Sequence, residues 1–166
     1  MADMPTKPMP MLNPQTRQPV TLEDLSELFS KECSRQELNE TDRWIEIPEE
    51  VREKYTNYRS TPLVRAYGLE EALGTPAHIY FKNESVSPVG SHKPNTAIPQ
   101  AYYNHIEGIT HLTTETGGGQ WGTALSMACA FYGLDLTVFM VKSSAEQKPF
   151  RKAIIEKGIN TVIVAG

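Results

Sequence analysis

Long apolar runs are missing from this chain. No stretch approaches the ~20 residues needed to cross a bilayer, so no transmembrane helix is expected. The opening MADMPTKPMPMLNP lacks the continuous apolar core of a signal peptide. Cysteine is scarce: Cys33 and Cys129 are the only two, far apart and without metal-ligand spacing. Cys129 lies in an apolar helical stretch and reads as a small buried hydrophobe. A reducing cytoplasm is the simplest compartment. Charge of one sign is also lacking. The net charge is −4 and the basic residues form no patch, so neither nucleic acid nor an anionic membrane is indicated as a partner. GGGQWG at 117–122 fits the GxGxxG spacing, but a lone match of that kind is a weak signal and no P-loop lysine accompanies it, so a nucleotide site has little support. His78, His105 and His111 show no metal-ligand pairing, and no metal is expected.

What remains is an ordinary globular composition. Hydrophobic residues make up 39% of the chain and charged residues 22%, a balance that excludes an intrinsically disordered protein. At 166 residues one domain of usual size can bury about 70% of its unfolded surface.

Five prolines fall in residues 1–20, which predicts an extended arm. A short helix is expected at about 21–30, with Thr21 as N-cap and Leu22, Leu25, Leu28 and Phe29 on one stripe. Pro48 starts another at a first-turn position, with Val51 and Tyr55 on one face. Both are too short to stand alone. From residue 76 the pattern alternates: strand His78–Lys82, helix Pro94–Ile106, strand His111–Thr114, helix Trp121–Tyr132 closed by Gly133, strand Leu136–Val141, helix about 149–157 closed by Gly158, strand Thr161–Val164. That alternation is the signature of an α/β fold with an open parallel sheet and flanking helices. The apolar run Leu136–Val141 suits a parallel strand covered on both faces. Pro99 breaks a local rule, because inside the helix begun at Pro94 its ring removes a hydrogen bond and kinks the axis. Nothing in the sequence compensates for it. The final INTVIVAG stops on an apolar strand and a glycine, so the chain reads as incomplete.

Two segments carry chemistry. In KNESVSPVGSHKPNTA, residues 82–97, Lys93 stands at a helix start behind Gly90, Ser91 and His92. The helix dipole there opposes a second positive charge and favours the neutral amine that carbonyl chemistry needs. Residue types alone leave a solvated lysine beside a turn as the commoner reading. In ETGGGQWG, residues 115–122, three glycines follow a strand and precede a helix. Backbone N–H groups can approach an anion closely there, where open α/β sheets bind ligands. A carboxylate or a phosphate would fit. Glu115 at the strand end is a candidate acid or base.

GSHKPNTA followed by ETGGGQWG resembles the tryptophan synthase β family, among the fold-type II pyridoxal-phosphate enzymes. PMLNPQT at 10–16, RWIEIPEEVREKY at 43–55 and STPLVRA at 60–66 resemble the second type of β chain, and the likeness covers nearly the whole chain. The resemblance implies that Lys93 carries pyridoxal 5'-phosphate and that His92 lies near its phosphate. Glu115 is implied as the carboxylate that assists loss of the serine hydroxyl and handles protons during indole addition. Backbone N–H groups of Thr116, Gly117, Gly118, Gly119 and Gln120 would hold the substrate carboxylate, with Trp121 closing that loop. The implied substrates are L-serine and indole, and the implied assembly is a homodimer, with dependence on an α subunit left open. The implied division is 1–58 as arm and short helices, 59–93 as the start of a larger cofactor domain, and 94–166 as a smaller substrate-side α/β domain.

Departures are few. GGG replaces the more usual GAG, Pro99 stands where alanine is more usual, and YRSTPL replaces GRPTPL. The family's second half is absent, and with it the glycine-rich phosphate cup and the partner of the pyridine nitrogen. The 166 residues alone are therefore expected to be inactive. The alternatives are another pyridoxal-phosphate β-elimination or β-replacement enzyme acting on serine or threonine, and a non-catalytic homologue acting through a partner.

Overall fold

The computed structural model describes residues 3–158 and 161–166. The arm is coil as far as a turn at 13–18, where the Asn13 side-chain oxygen accepts from the N–H groups of Gln15 and Thr16. Helix α1, Leu22–Ser26, begins at Thr21 with a capping box: the Thr21 hydroxyl accepts from Asp24 N–H, and the Asp24 carboxylate accepts from Thr21 N–H. The helix expected at about 21–30 ends early, at Ser26, and Leu28 and Phe29 fall beyond it. A second helix, α2, spans Lys31–Glu37 with Ser30 as its N-cap. Its first N–H groups, on Lys31 and Glu32, donate to the carboxylate of Glu107 at 2.8 and 3.0 Å. This cap comes from 76 residues away, so no local pattern announces it.

Helix α3, Glu49–Tyr55, follows Pro48, which is its N-cap rather than its first helical residue. Val51 is fully buried in the core. Strand β1, Leu63–Arg65, leads into helix α4, Tyr67–Leu73, which ends at left-handed Gly74. Strand β2, Tyr80–Lys82, pairs antiparallel with β1, Arg65 opposite Tyr80. The pattern of alternation puts this strand in the parallel sheet, and that expectation fails. A two-stranded ribbon forms instead, fastened by Glu70, whose carboxylate accepts from both Arg65 (2.9 Å) and the Ile79 N–H (2.7 Å).

The parallel sheet has three strands among the described residues: β3 (His111–Thr116), β4 (Asp135–Met140) and β5 (Thr161–Ala165), in that order. Helix α5, Pro94–Ile106, precedes it, and α6, Gln120–Tyr132, connects β3 to β4. Between β4 and β5 lie α7, Lys142–Gln147, which the pattern does not announce, and α8, Pro149–Ile155. Gly133 ends α6 in the left-handed conformation (φ 68°) that glycine adopts without strain.

The core forms where α6 and α8 meet one face of the sheet and α5 packs on α6. Ala97, Ile98 and Ala101 of α5 join Ala124, Ala128 and Cys129 of α6, Leu136 and Val138 of β4, and Ile155 of α8. The small residues of α6 let its backbone sit close to its neighbours at core packing density. Cys129 is a buried hydrophobe, and burial pushes its thiol up to about 12. The β4 strand is not covered on both faces, however. Leu136, Val138 and Met140 are buried, but Phe139 is half exposed, and so are Val162 and Val164, which pair with Thr137 and Phe139 on that face. No helix among the described residues is long and apolar enough to cross a membrane.

Pro99 does sit inside α5. Its missing N–H would have donated to the carbonyl of Asn95, four residues back. That carbonyl instead accepts from the hydroxyl of Tyr55 at 2.7 Å.

Candidate active site

At the carboxyl end of β3 the chain runs from Glu115 and Thr116 through Gly117–Gly119 into α6. Thr116 is buried, and its hydroxyl accepts from Gly122 N–H at 3.2 Å. The Thr123 hydroxyl donates back to the Gly119 carbonyl at 2.7 Å. These two bonds fix the turn from both ends. Gly119 is the N-cap of α6 at φ +86°, a conformation L side chains rarely adopt. The N–H groups at the start of α6 therefore lie beside the loop, where the helix dipole favours an anion.

Lys93 reaches the same place from the N-cap of α5. The preceding turn is held by Ser87, whose hydroxyl accepts from Ser91 N–H and donates to the Ser91 carbonyl at 2.6 Å. Lys93 Nζ lies 5.9 Å from the centre of the Trp121 ring. The Trp121 indole N–H donates to the Thr114 hydroxyl at 2.8 Å, which sets the plane of that ring. Among the described residues, neither the Lys93 ammonium nor the Glu115 carboxylate is held in an ion pair.

These groups surround an open cavity of about 390 Å³, with Lys93, Glu115, Thr116, Gly117, Gly118, Gln120 and Trp121 in its wall. Two expected residues are not in the wall. Gly119 is buried, and His92 is exposed on the surface, outside the cavity. Two others are in the wall that sequence reasoning missed, Lys148 and Arg151. A Cβ at Gly118 would sit 3.2 Å from Lys148 Nζ, and one at Gly119 would sit 3.0 Å from Arg151 Cδ. The segment QKPFR carried the signal, two cations on either side of a helix-starting proline, but only the return of α8 onto α6 brings them to the loop.

The site can hold an anion at the loop and a carbonyl compound at Lys93. The Ser91 hydroxyl is buried without a hydrogen-bond partner two residues before that lysine, so one more polar group can be received there. By contrast, Lys82 donates to the Thr61 carbonyl and is committed. No group of three or more metal-ligating side chains occurs among the described residues.

An open α/β fold with a lysine, a carboxylate and a glycine loop around one cavity suits a ligand that carries both a carbonyl and an anionic group. A family model described as pyridoxal-phosphate dependent enzyme matches residues 55–165, and the chain belongs to that family. It is 59% identical over 152 residues to tryptophan synthase beta chain 2 of Thermotoga maritima, covering 92% of this chain and 36% of that protein. The corresponding protein of Aquifex aeolicus is 54% identical over 154 residues, covering 93% and 35%. The chain thus spans about a third of the length of these relatives. Among solved structures, an O-ureido-L-serine synthase variant with O-ureido-L-serine bound superimposes with a TM-score of 0.54 at 20% identity, over 73% of this chain and 36% of that one. That likeness shows the fold.

Proposed function

We propose that this chain is the N-terminal part of a tryptophan synthase β chain, in which indole replaces the hydroxyl of L-serine to give L-tryptophan. The observation that carries the reading is the meeting of Lys93, Glu115, Gly117 and Gly118 around one cavity. Identities of 59% and 54% to chains of that name support it.

Lys93 would hold pyridoxal phosphate, and His92 would sit near the phosphate once the rest of the protein completes that end of the site. The cofactor supplies an electron sink for charge developing on the amino acid. The remaining work falls to the chain's own residues. N–H groups of Thr116 to Gln120 hold the substrate carboxylate, and the charges of Lys148 and Arg151 reinforce the field of the helix start there. Trp121 closes the loop and keeps water from the amine. Glu115 protonates the departing hydroxyl and then takes up the proton released when indole adds. The same reading makes 59–93 the start of the cofactor domain and 94–166 the substrate side, in a cytoplasmic homodimer.

The test is direct. Full-length protein supplied with pyridoxal phosphate, L-serine and indole should form tryptophan. Conversion of serine to a keto acid with no tryptophan at any indole concentration would replace this reading with a β-elimination enzyme.

A further inference from the structure

We infer that the hydroxyl of Tyr55 stands in for the backbone donor that Pro99 lacks, and that this substitution positions the turn bearing Lys93. The claim about Lys93 rests on the active-site reading above; the claim about the hydrogen bond does not.

Three independent bonds converge on Asn95, two residues after the lysine. Its carbonyl accepts from Tyr55 Oη at 2.7 Å. Its side-chain oxygen accepts from Tyr58 Oη at 2.9 Å, and its side-chain nitrogen donates to Glu84 at 3.2 Å. Glu84 is itself held by the Thr61 hydroxyl at 2.6 Å. Asn95 is thereby tied to α3 and to the short 3-10 turn at Glu84–Val86. The Lys93 carbonyl opens the same helical turn, accepting from Ala97 N–H at 2.9 Å.

Only the carbonyl bond answers to Pro99. With any other residue at that position, the helix would supply the donor itself. Tyr55 is well placed to replace it, because Arg59 lies 4.7 Å over its ring and Tyr58 packs edge-on at 6.2 Å. Burial raises the ionisation of both hydroxyls, Tyr58 to about 12, so each remains a donor throughout the working range. The arrangement also adds directed hydrogen bonds from Tyr55 and Tyr58 to the packing of α3 on α5 that joins the N-terminal segment to the catalytic turn. Tyr55 is a positioning residue here, since it lies outside the cavity wall and acts through Asn95.

The experiment is a double-mutant cycle in the full-length protein. Tyr55→Phe, which removes one oxygen, leaves a part-buried carbonyl without a donor. It should raise the unfolding equilibrium constant by about 5- to 30-fold. In a Pro99→Ala background the helix regains its own donor, and the same substitution should cost less than about threefold. Tyr58→Phe is the control, because its acceptor is a side chain that Pro99 does not affect; its cost should be equal in both backgrounds. The second readout is the pyridoxal phosphate concentration giving half-maximal borohydride labelling of Lys93. Tyr55→Phe should raise it by a factor of about three or more, and Pro99→Ala should restore it.

Equal cost of Tyr55→Phe in the unaltered and the Pro99→Ala backgrounds would overturn the substitution of donors. Coupling in unfolding without any change in labelling would overturn the positioning role. Absence of Lys93 labelling in the unaltered protein would instead overturn the active-site reading, while the unfolding cycle would still decide the hydrogen bond.

Discussion

Gly118 and Gly119 are adjacent, chemically identical and on the same loop, yet adding one methyl group to each should have opposite consequences. At Gly119 the backbone has φ +86°, a region that costs an L residue about 1–2 kcal/mol. The new Cβ would also meet Arg151 Cδ at 3.0 Å and Arg151 Cβ at 3.1 Å. The Cβ of Arg151 is fixed to α8 and cannot swing aside, so overpacking adds about 1–3 kcal/mol. Gly119→Ala is therefore expected to lose roughly 2–5 kcal/mol of stability, a large part of a typical total of about 5–15 kcal/mol. At Gly118 the φ is not in the left-handed region, and the sole close neighbour is Lys148 Nζ at 3.2 Å, the far end of a flexible side chain. Gly118→Ala should be neutral, or stabilising by about 0.4–1 kcal/mol through the unfolded chain. This accounts for the GAG spelling that the resembling family more usually carries at this place. Urea unfolding of both variants decides the matter. Equal losses, or a greater loss for Gly118→Ala, would refute the loop geometry from which the anion site is argued.

Other perturbations follow from the same structure. Glu115→Ala in the full-length protein should keep the absorbance of the bound cofactor and lose about two to four orders of magnitude in turnover; near-normal turnover would make Glu115 structural. The Thr61 hydroxyl, followed by the Asn95 amide, holds the Glu84 carboxyl below the ordinary glutamate value of 4.5. A depressed folded value contributes stability that is present above that ordinary value and lost as pH falls through the folded one. Glu84→Gln should accordingly flatten the acid limb of stability below about pH 4.5, and an unchanged limb would remove Glu84 from the network.

Much of the parallel half was legible in the sequence, because each element there carries its own signal. Pro94 opens α5, Gly133 closes α6, and β3 and β4 start within a residue of where the apolar pattern places them. The errors share a cause. The first N–H groups of α2 are received by Glu107, β1 exists only through its pairing with β2, and the donor that rescues Asn95 belongs to Tyr55. None of these partners is local, so no window along the chain contains the interaction. The candidate site divides in the same way. Lys93, Glu115 and the glycine loop are marked by motif, whereas Lys148 and Arg151 enter the wall only because α8 folds back. The same motif marks His92, and its side chain lies outside the cavity.

The identity of the cofactor lysine is the point on which the account most depends. Borohydride reduction of the full-length protein saturated with pyridoxal phosphate, followed by peptide mass mapping, reads it directly. The pyridoxyl group should be found on Lys93. Finding it on Lys82, Lys142 or Lys148, with Lys93 unmodified, would contradict the site.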